Sequence, residues 1–90
     1  MDEFIFSKHA KEQMLRRGIS REVAAFVMAH PEEILVDDKD VTVTIFQSLI
    51  QEGNQQFLLR IFINKGKVPH EIITLYKTSK IQKYYEGKIR

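Results

Sequence analysis

Hydrophobic and polar positions change period once along this chain, from helical spacing before Pro31 to alternation after Asp40. Ser7 stands where a helix N-cap belongs, and residues 8–17 then run at helical spacing to a stop at Gly18. Ala10, Met14 and Leu15 form the narrow apolar stripe of that first helix. His9, Gln13, Arg16 and Arg17 fall at i, i+4, i+7 and i+8 and make a polar, cationic flank that looks outward. Ser20 caps a second helix with Glu22 in its first turn, where a negative charge suits the helix dipole. Val23, Phe26 and Val27, with alanines between them, predict that this helix is mostly buried. It ends near His30, because Pro31 disfavours helical geometry in the residue before it.

Four strands follow in the pattern. Residues 32–36 predict a short one, and residues 37–40 a polar turn. Val41, Val43, Ile45 and Leu49 share one face against Thr42, Thr44, Phe46 and Ser48 on the other, which describes a half-exposed strand. After a turn at residues 52–55, residues 57–63 are apolar except at Arg60, as in a central strand covered on both faces. Residues 64–67 read as a hairpin turn, and residues 68–76 as the last strand, with Pro69 near its start where a missing donor matters least. Thr78 or Ser79 caps a short terminal helix carrying Ile81, Tyr84 and Tyr85, and residues 86–90 read as a loose tail. The expected fold is α+β, with two N-terminal helices packed on a four-stranded antiparallel sheet and a short C-terminal helix. Phe4, Ile5 and Phe6 count only as an apolar lead-in.

Ninety residues at 43% hydrophobic and 29% charged fit one domain, residues 1–90. A chain this short has few layers, so part of one sheet face is expected to stay open as the place for a site. There is no cysteine, which excludes disulfides, thiol catalysis and Cys-based zinc sites. The first residues carry no secretory signal, and no apolar run is long enough to span a bilayer, so a cytoplasmic protein without membrane attachment is expected. Residues 1–40 hold 6 basic and 9 acidic side chains, whereas residues 41–90 hold 8 and 3. The second half is basic. Lys77, Lys80, Lys83, Lys88 and Arg90 against Glu86 concentrate that charge in the tail, enough to attract a phosphate backbone or an acidic protein. A solvated helix face explains the same lysines equally well.

Arg60 is the most informative residue, because a guanidinium among Leu58, Leu59, Ile61 and Phe62 requires a partner. That partner is either an acid, such as Glu71 or a carboxylate of the first predicted strand, or the phosphate of a ligand gripped from the open face. His9 lies in the first turn of its helix, where the positive helix end favours the neutral imidazole of a general base; a surface histidine is the plain alternative. His30 and His70 have weaker claims. Thr74 and Tyr76 share a sheet face, with Tyr84 following on the terminal helix; these tyrosines stack on bases and donate protons, or simply complete the core. Asp37, Asp38 and Asp40 match no calcium loop and read as turn residues. With no phosphate loop, metalloprotease pair or nucleophile elbow, no metal or cofactor is expected. His, Arg, Lys and Tyr on a basic sheet suit RNA cleavage by its own 2′-hydroxyl.

Ser7-Lys8-His9-Ala10, Met14, Arg17-Gly18-Ile19-Ser20 and, late in the chain, Ile73-Thr74-Leu75-Tyr76 resemble a bacterial domain-of-unknown-function family with that opening. The likeness spans nearly the whole chain. Where that family usually has an arginine four residues after the histidine, this chain has Gln13. The family is similar to the RelE/ParE-like toxins, within the barnase-like and colicin-like ribonuclease fold. The resemblance implies a toxin of a toxin–antitoxin pair, with a cognate antitoxin as partner. Many such toxins cut messenger RNA without metal, some on the ribosome, while the ParE-like branch inhibits gyrase without cutting RNA. It implies functional positions at His9, Arg17, Thr74 and Tyr76. The expected site therefore combines His9, Arg60 and Tyr76 as catalytic groups with Arg17, Thr74, Lys77, Lys80 and Tyr84 holding RNA. A noncatalytic binding module using the same basic face, whether for gyrase, ribosome or a partner protein, is the alternative.

Overall fold

Why the chain begins with a strand becomes clear from its neighbour. In the computed structural model, which describes residues 4–85, β1 (Phe4–Phe6) lies parallel to β5 (His70–Thr78), with Ile5 opposite Glu71. Between them in sequence come α1 (Lys8–Arg17), α2 (Arg21–Ala29), β2 (Glu33–Val36), β3 (Val43–Glu52) and β4 (Gln55–Asn64), and α3 (Ile81–Tyr84) ends the described chain. The sheet order is β1-β5-β4-β3-β2, antiparallel everywhere except the β1–β5 pair. The expectation of four antiparallel strands is thus corrected to a five-stranded mixed sheet, and the helices follow the first strand instead of opening the fold. Three residues are too few for alternation to show, so the pairing of Phe4–Phe6 is decided by the available β5 edge.

Ser7 joins these elements. Its hydroxyl accepts from the Ala10 amide at 3.0 Å as the α1 N-cap and donates to the Ile73 carbonyl at 2.8 Å, while its own amide donates to the Ile72 carbonyl at 3.0 Å. The Ile73 carbonyl is available because β5 carries a register shift where it passes Phe62 and Ile63 on β4. Gly18 ends α1 at φ 67°, a left-handed conformation that suits glycine, and Ser20 caps α2 by accepting from the Val23 amide at 3.1 Å. Gly53, at φ 59°, opens the tight β3–β4 loop.

Both helices cover one face of the sheet. Ala10, Met14, Ile19, Ala24 and Val27 pack there on Phe46, Leu59, Ile61, Ile63, Ile72 and Leu75. Two helix readings are corrected. Leu15 is 87% exposed and leaves the α1 stripe, and α2 buries only Ala24 and Val27 completely, with Phe26 at 64% exposed. A helix lying on a flat sheet buries one narrow stripe, so an apolar residue one position off that stripe faces water.

The strand predicted to be half-exposed, β3, is instead buried on both sides from Val43 to Ser48. The reason lies on the face away from α1 and α2, where α3 folds back and the carbonyl of Tyr84 accepts a hydrogen bond from Gln47 Nε2 at 3.1 Å. α3 itself begins at Lys80 without a side-chain cap; Thr78 acts one step earlier, accepting from the Lys80 amide at 3.0 Å. Among the described residues no helix is long and apolar enough to cross a membrane. The tail at 86–90, including Lys88 and Arg90, lies outside the described residues.

Candidate functional site

Strand register builds the site before any side-chain chemistry is considered. Glu33 on β2 stands opposite Gln47 on β3, Gln47 opposite Arg60 on β4, and Arg60 opposite Tyr76 on β5. Directly paired residues point to the same side of a sheet, so these four form one rung on the face away from α1 and α2. Gln47 Nε2 donates to Glu33 Oε1 at 2.6 Å, Arg60 Nε donates to Gln47 Oε1 at 2.8 Å, and Arg60 Nη1 donates to the Tyr76 hydroxyl at 2.9 Å. Gln47 is fully buried, Glu33 is 7% exposed and Arg60 8%.

Arg60 is enclosed by aromatics as well. Its guanidinium carbon lies 4.4 Å from the Tyr84 ring centre, 5.4 Å from Phe62 and 5.9 Å from Tyr76. Rings in these positions favour a cation through their negative faces and exclude water from it. The alternatives open for Arg60 are now reduced. Glu71 pairs with Lys67 at 3.0 Å, whereas the acid of the first predicted strand, Glu33, is linked to Arg60 through Gln47.

A groove of about 530 Å³ opens beside this rung, with Arg60, Phe62, Ile45 and Tyr84 on its wall and the 37–39 turn at its rim. Asp37 and Asp38 bring negative charge to that rim along with Lys39, so the groove is not uniformly cationic. Asp40 serves the turn itself: its carboxylate accepts from the Thr42 hydroxyl at 2.7 Å and amide at 3.0 Å. Those bonds, the hydroxyl first, hold its pKa below the usual 3.8 against a small opposing effect of burial. Among the described residues no group of His, Asp and Glu side chains is placed to hold a metal ion.

Tyr84 is the one groove residue with a resolved shift. Hydrogen bonding of its phenol to Lys83 lowers its pKa from 10.0; burial opposes this, and the Lys83 charge, Tyr76 and Arg60 lower it further. The Lys83 ammonium also lies 5.3 Å from the Tyr84 ring centre, and the Tyr76 and Tyr84 rings meet edge to face at 6.5 Å.

Of the residues picked from sequence, Arg60, Thr74, Tyr76 and Tyr84 share this face, Thr74 standing opposite Phe62. His9 and Arg17 do not join them. They are exposed on α1, whose inward residues Ala10 and Met14 pack on the opposite face, so the sheet lies between them and Arg60. Arg17 Nε donates to Gln13 Oε1 at 2.8 Å. Lys77 has the opposite pleat from Tyr76 and pairs with Glu52 at 2.8 Å beside the Phe57 ring. Lys80 is exposed at the start of α3. His30 stacks with Phe26 and His70 meets Phe4 edge-on, both away from the groove.

Sequence reasoning missed Gln47, had Glu33 only as an unspecified acid of the first predicted strand, and had Lys83 only as one charge of the basic tail. For Gln47 a signal existed, since it interrupts the apolar run Val43, Ile45, Leu49 on its strand face, and a polar gap in such a run marks a paired buried group. Comparison with family models, curated proteins and solved structures finds no match.

Proposed function

We propose that this protein is a RelE/ParE-like toxin of a bacterial toxin–antitoxin pair, a cytoplasmic, metal-independent endoribonuclease acting on messenger RNA from the face that carries Arg60. The observation that supports this reading most is the convergence of Arg60, Tyr76, Tyr84 and Lys83 beside one groove. His9 is relieved of the role of base, because the sheet separates it from these groups.

In this reading Tyr84 acts as its phenolate, the form that Lys83 favours, and takes the proton of an RNA 2′-hydroxyl to become the neutral phenol. The freed 2′-oxygen attacks the adjacent phosphorus, and the Arg60 guanidinium holds the charge that develops on the phosphorane oxygens. The Tyr76 hydroxyl accepts from Arg60, which favours release of its own proton to the departing 5′-oxygen. The products are a 2′,3′-cyclic phosphate and a 5′-hydroxyl. Glu33 and Gln47 act behind this set by fixing the guanidinium in place.

A second reading has its own support. Arg60 already has protein partners and Asp37 and Asp38 stand at the groove rim, an arrangement that also suits a noncatalytic toxin-fold module binding gyrase, ribosome or a partner protein. Inducible expression in a bacterium, with growth and transcript integrity followed together, separates the two. The ribonuclease reading expects cleavage that survives His9→Ala and falls at least about a hundredfold in Tyr84→Phe and Arg60→Lys. Growth arrest with intact transcripts supports the binding module, and normal growth with intact transcripts removes both.

A further inference from the structure

The corner between α1 and α2 carries a second surface that the ribonuclease reading does not use. A cleft of about 300 Å³ opens there between the last turns of α1 and the start of α2. Its floor is Met14 and Ile19, and Leu15, Lys11 and Arg21 stand at its edge. Leu15 is 87% exposed while its neighbours Met14 and Ile19 are each 6% exposed, so one leucine stands in water beside a recess lined by buried apolar residues. A single exposed leucine is ordinary. One flanking an apolar recess within a concentrated charge field is a different matter.

That field is cationic, although the first 40 residues taken together are acidic. Residues 7–22 contain Lys8, Lys11, Arg16, Arg17 and Arg21 against Glu12 and Glu22, a net charge of +3. All seven are exposed, and no ion pair joins any of them to an acid among the described residues. Arg21 is steadied by the Phe6 ring, 4.9 Å from its guanidinium carbon, which leaves its charge at the surface. RNA suits the charge but not the floor, because no aromatic side chain lines the cleft to stack a base.

We infer that the α1–α2 corner is a docking site for an acidic, amphipathic segment of a partner protein, which places an apolar side chain in the Met14–Leu15–Ile19 cleft and its carboxylates against Lys11 and Arg21. Helix-in-groove recognition works in this way, with apolar anchors supplying affinity and rim charges setting orientation and encounter rate. The site lies on the helix side of the sheet, so its occupation leaves the Arg60 groove uncovered, and the inference stands whether or not that groove cuts RNA.

Fluorescence anisotropy with three labelled probes tests it: a short helical peptide with Glu on one face and Leu on the other, the same peptide with Gln for Leu, and oligouridylate. The Glu/Leu peptide is expected to bind at least about tenfold tighter than the Glu/Gln peptide, the ratio that burying one leucine supplies. Leu15→Asp, at a position exposed enough to keep the fold, is expected to lose that preference, and Lys11→Glu with Arg21→Glu to weaken the same peptide at least about tenfold. Equal binding of the two peptides, insensitivity to Leu15→Asp, oligouridylate displacing the Glu/Leu peptide from the corner, or no binding of that peptide overturns the inference.

Discussion

The two faces of the sheet are held together differently. Under the helices, Leu59, Ile61, Ile63, Ile72 and Leu75 meet Ala10, Met14, Ala24 and Val27 through apolar packing alone. On the opposite face β2, β3, β4 and β5 carry Glu33, Gln47, Arg60 and Tyr76 as a row of mutual donors and acceptors. Truncating an apolar side chain on the first face costs stability in proportion to the atoms removed. On the second face each group satisfies its neighbour, so removing one takes a hydrogen-bond partner from buried polar groups beside it.

That difference is broken most sharply at Gln47. Gln47→Leu keeps roughly the same volume but strips a partner from both the Glu33 carboxylate and the Arg60 Nε, and should cost about 3–5 kcal/mol in urea unfolding. Glu33→Leu, Gln47→Leu and Arg60→Met made together leave no charge to satisfy. The triple variant should recover to within about 2 kcal/mol of the parent, and one still as unstable as Gln47→Leu would mean that the row is not a closed set.

On the helix face, the fully buried Ile61 supplies the matching measurement. Ile61→Ala should cost about 2–5 kcal/mol, and adding Leu75→Ala on the neighbouring strand should deepen the loss rather than rescue it. Rescue by a second substitution is expected on the polar face only. A smaller effect belongs to the joint between the faces: Ser7→Ala removes the α1 cap and the donor to the Ile73 carbonyl. It should lower stability by about 1–2 kcal/mol and speed amide exchange at Ala10.

Legibility in the sequence follows the same division. Ser7, Gly18 and Ser20 bracket the helices because caps act within a few residues, and the structure has each in that role. The single polar position within residues 57–63 of the central strand, Arg60, points to the row that crosses it. What the sequence does not carry is which face a remote element covers. His9 and Arg60 look combinable in one dimension, but the inward stripe of α1 turns His9 away on the far side of the sheet. Leu15 misleads for a related reason, since a rotation of one position on a helix moves a side chain by about 100°, enough to take it from core to water. That Glu33 and Gln47 stand in one row with Arg60 becomes visible only through register, which joins residues far apart in the chain.

The finest contrast lies between two adjacent residues at the end of α3. Tyr84 has its pKa lowered from 10.0, chiefly by hydrogen bonding to Lys83, whereas Tyr85 has its own raised, first by burial and then by Glu32 and Glu33. A lowered value means that folding favours the phenolate. The contribution of Tyr84 is therefore present above pH 10 and lost as pH falls through its folded value. Tyr85 runs the other way, contributing below pH 10 and losing that contribution as pH rises through its folded value. Phenolate absorbance against pH, compared between Tyr84→Phe and Tyr85→Phe, should assign the earlier titration to Tyr84, and Lys83→Met should move it upward without moving Tyr85. If Tyr84 is the base for RNA cleavage, the rising limb of the rate against pH shifts upward with it in Lys83→Met. An unmoved limb beside a moved absorbance titration would separate the perturbed phenol from the chemistry and leave Arg60 to act without it.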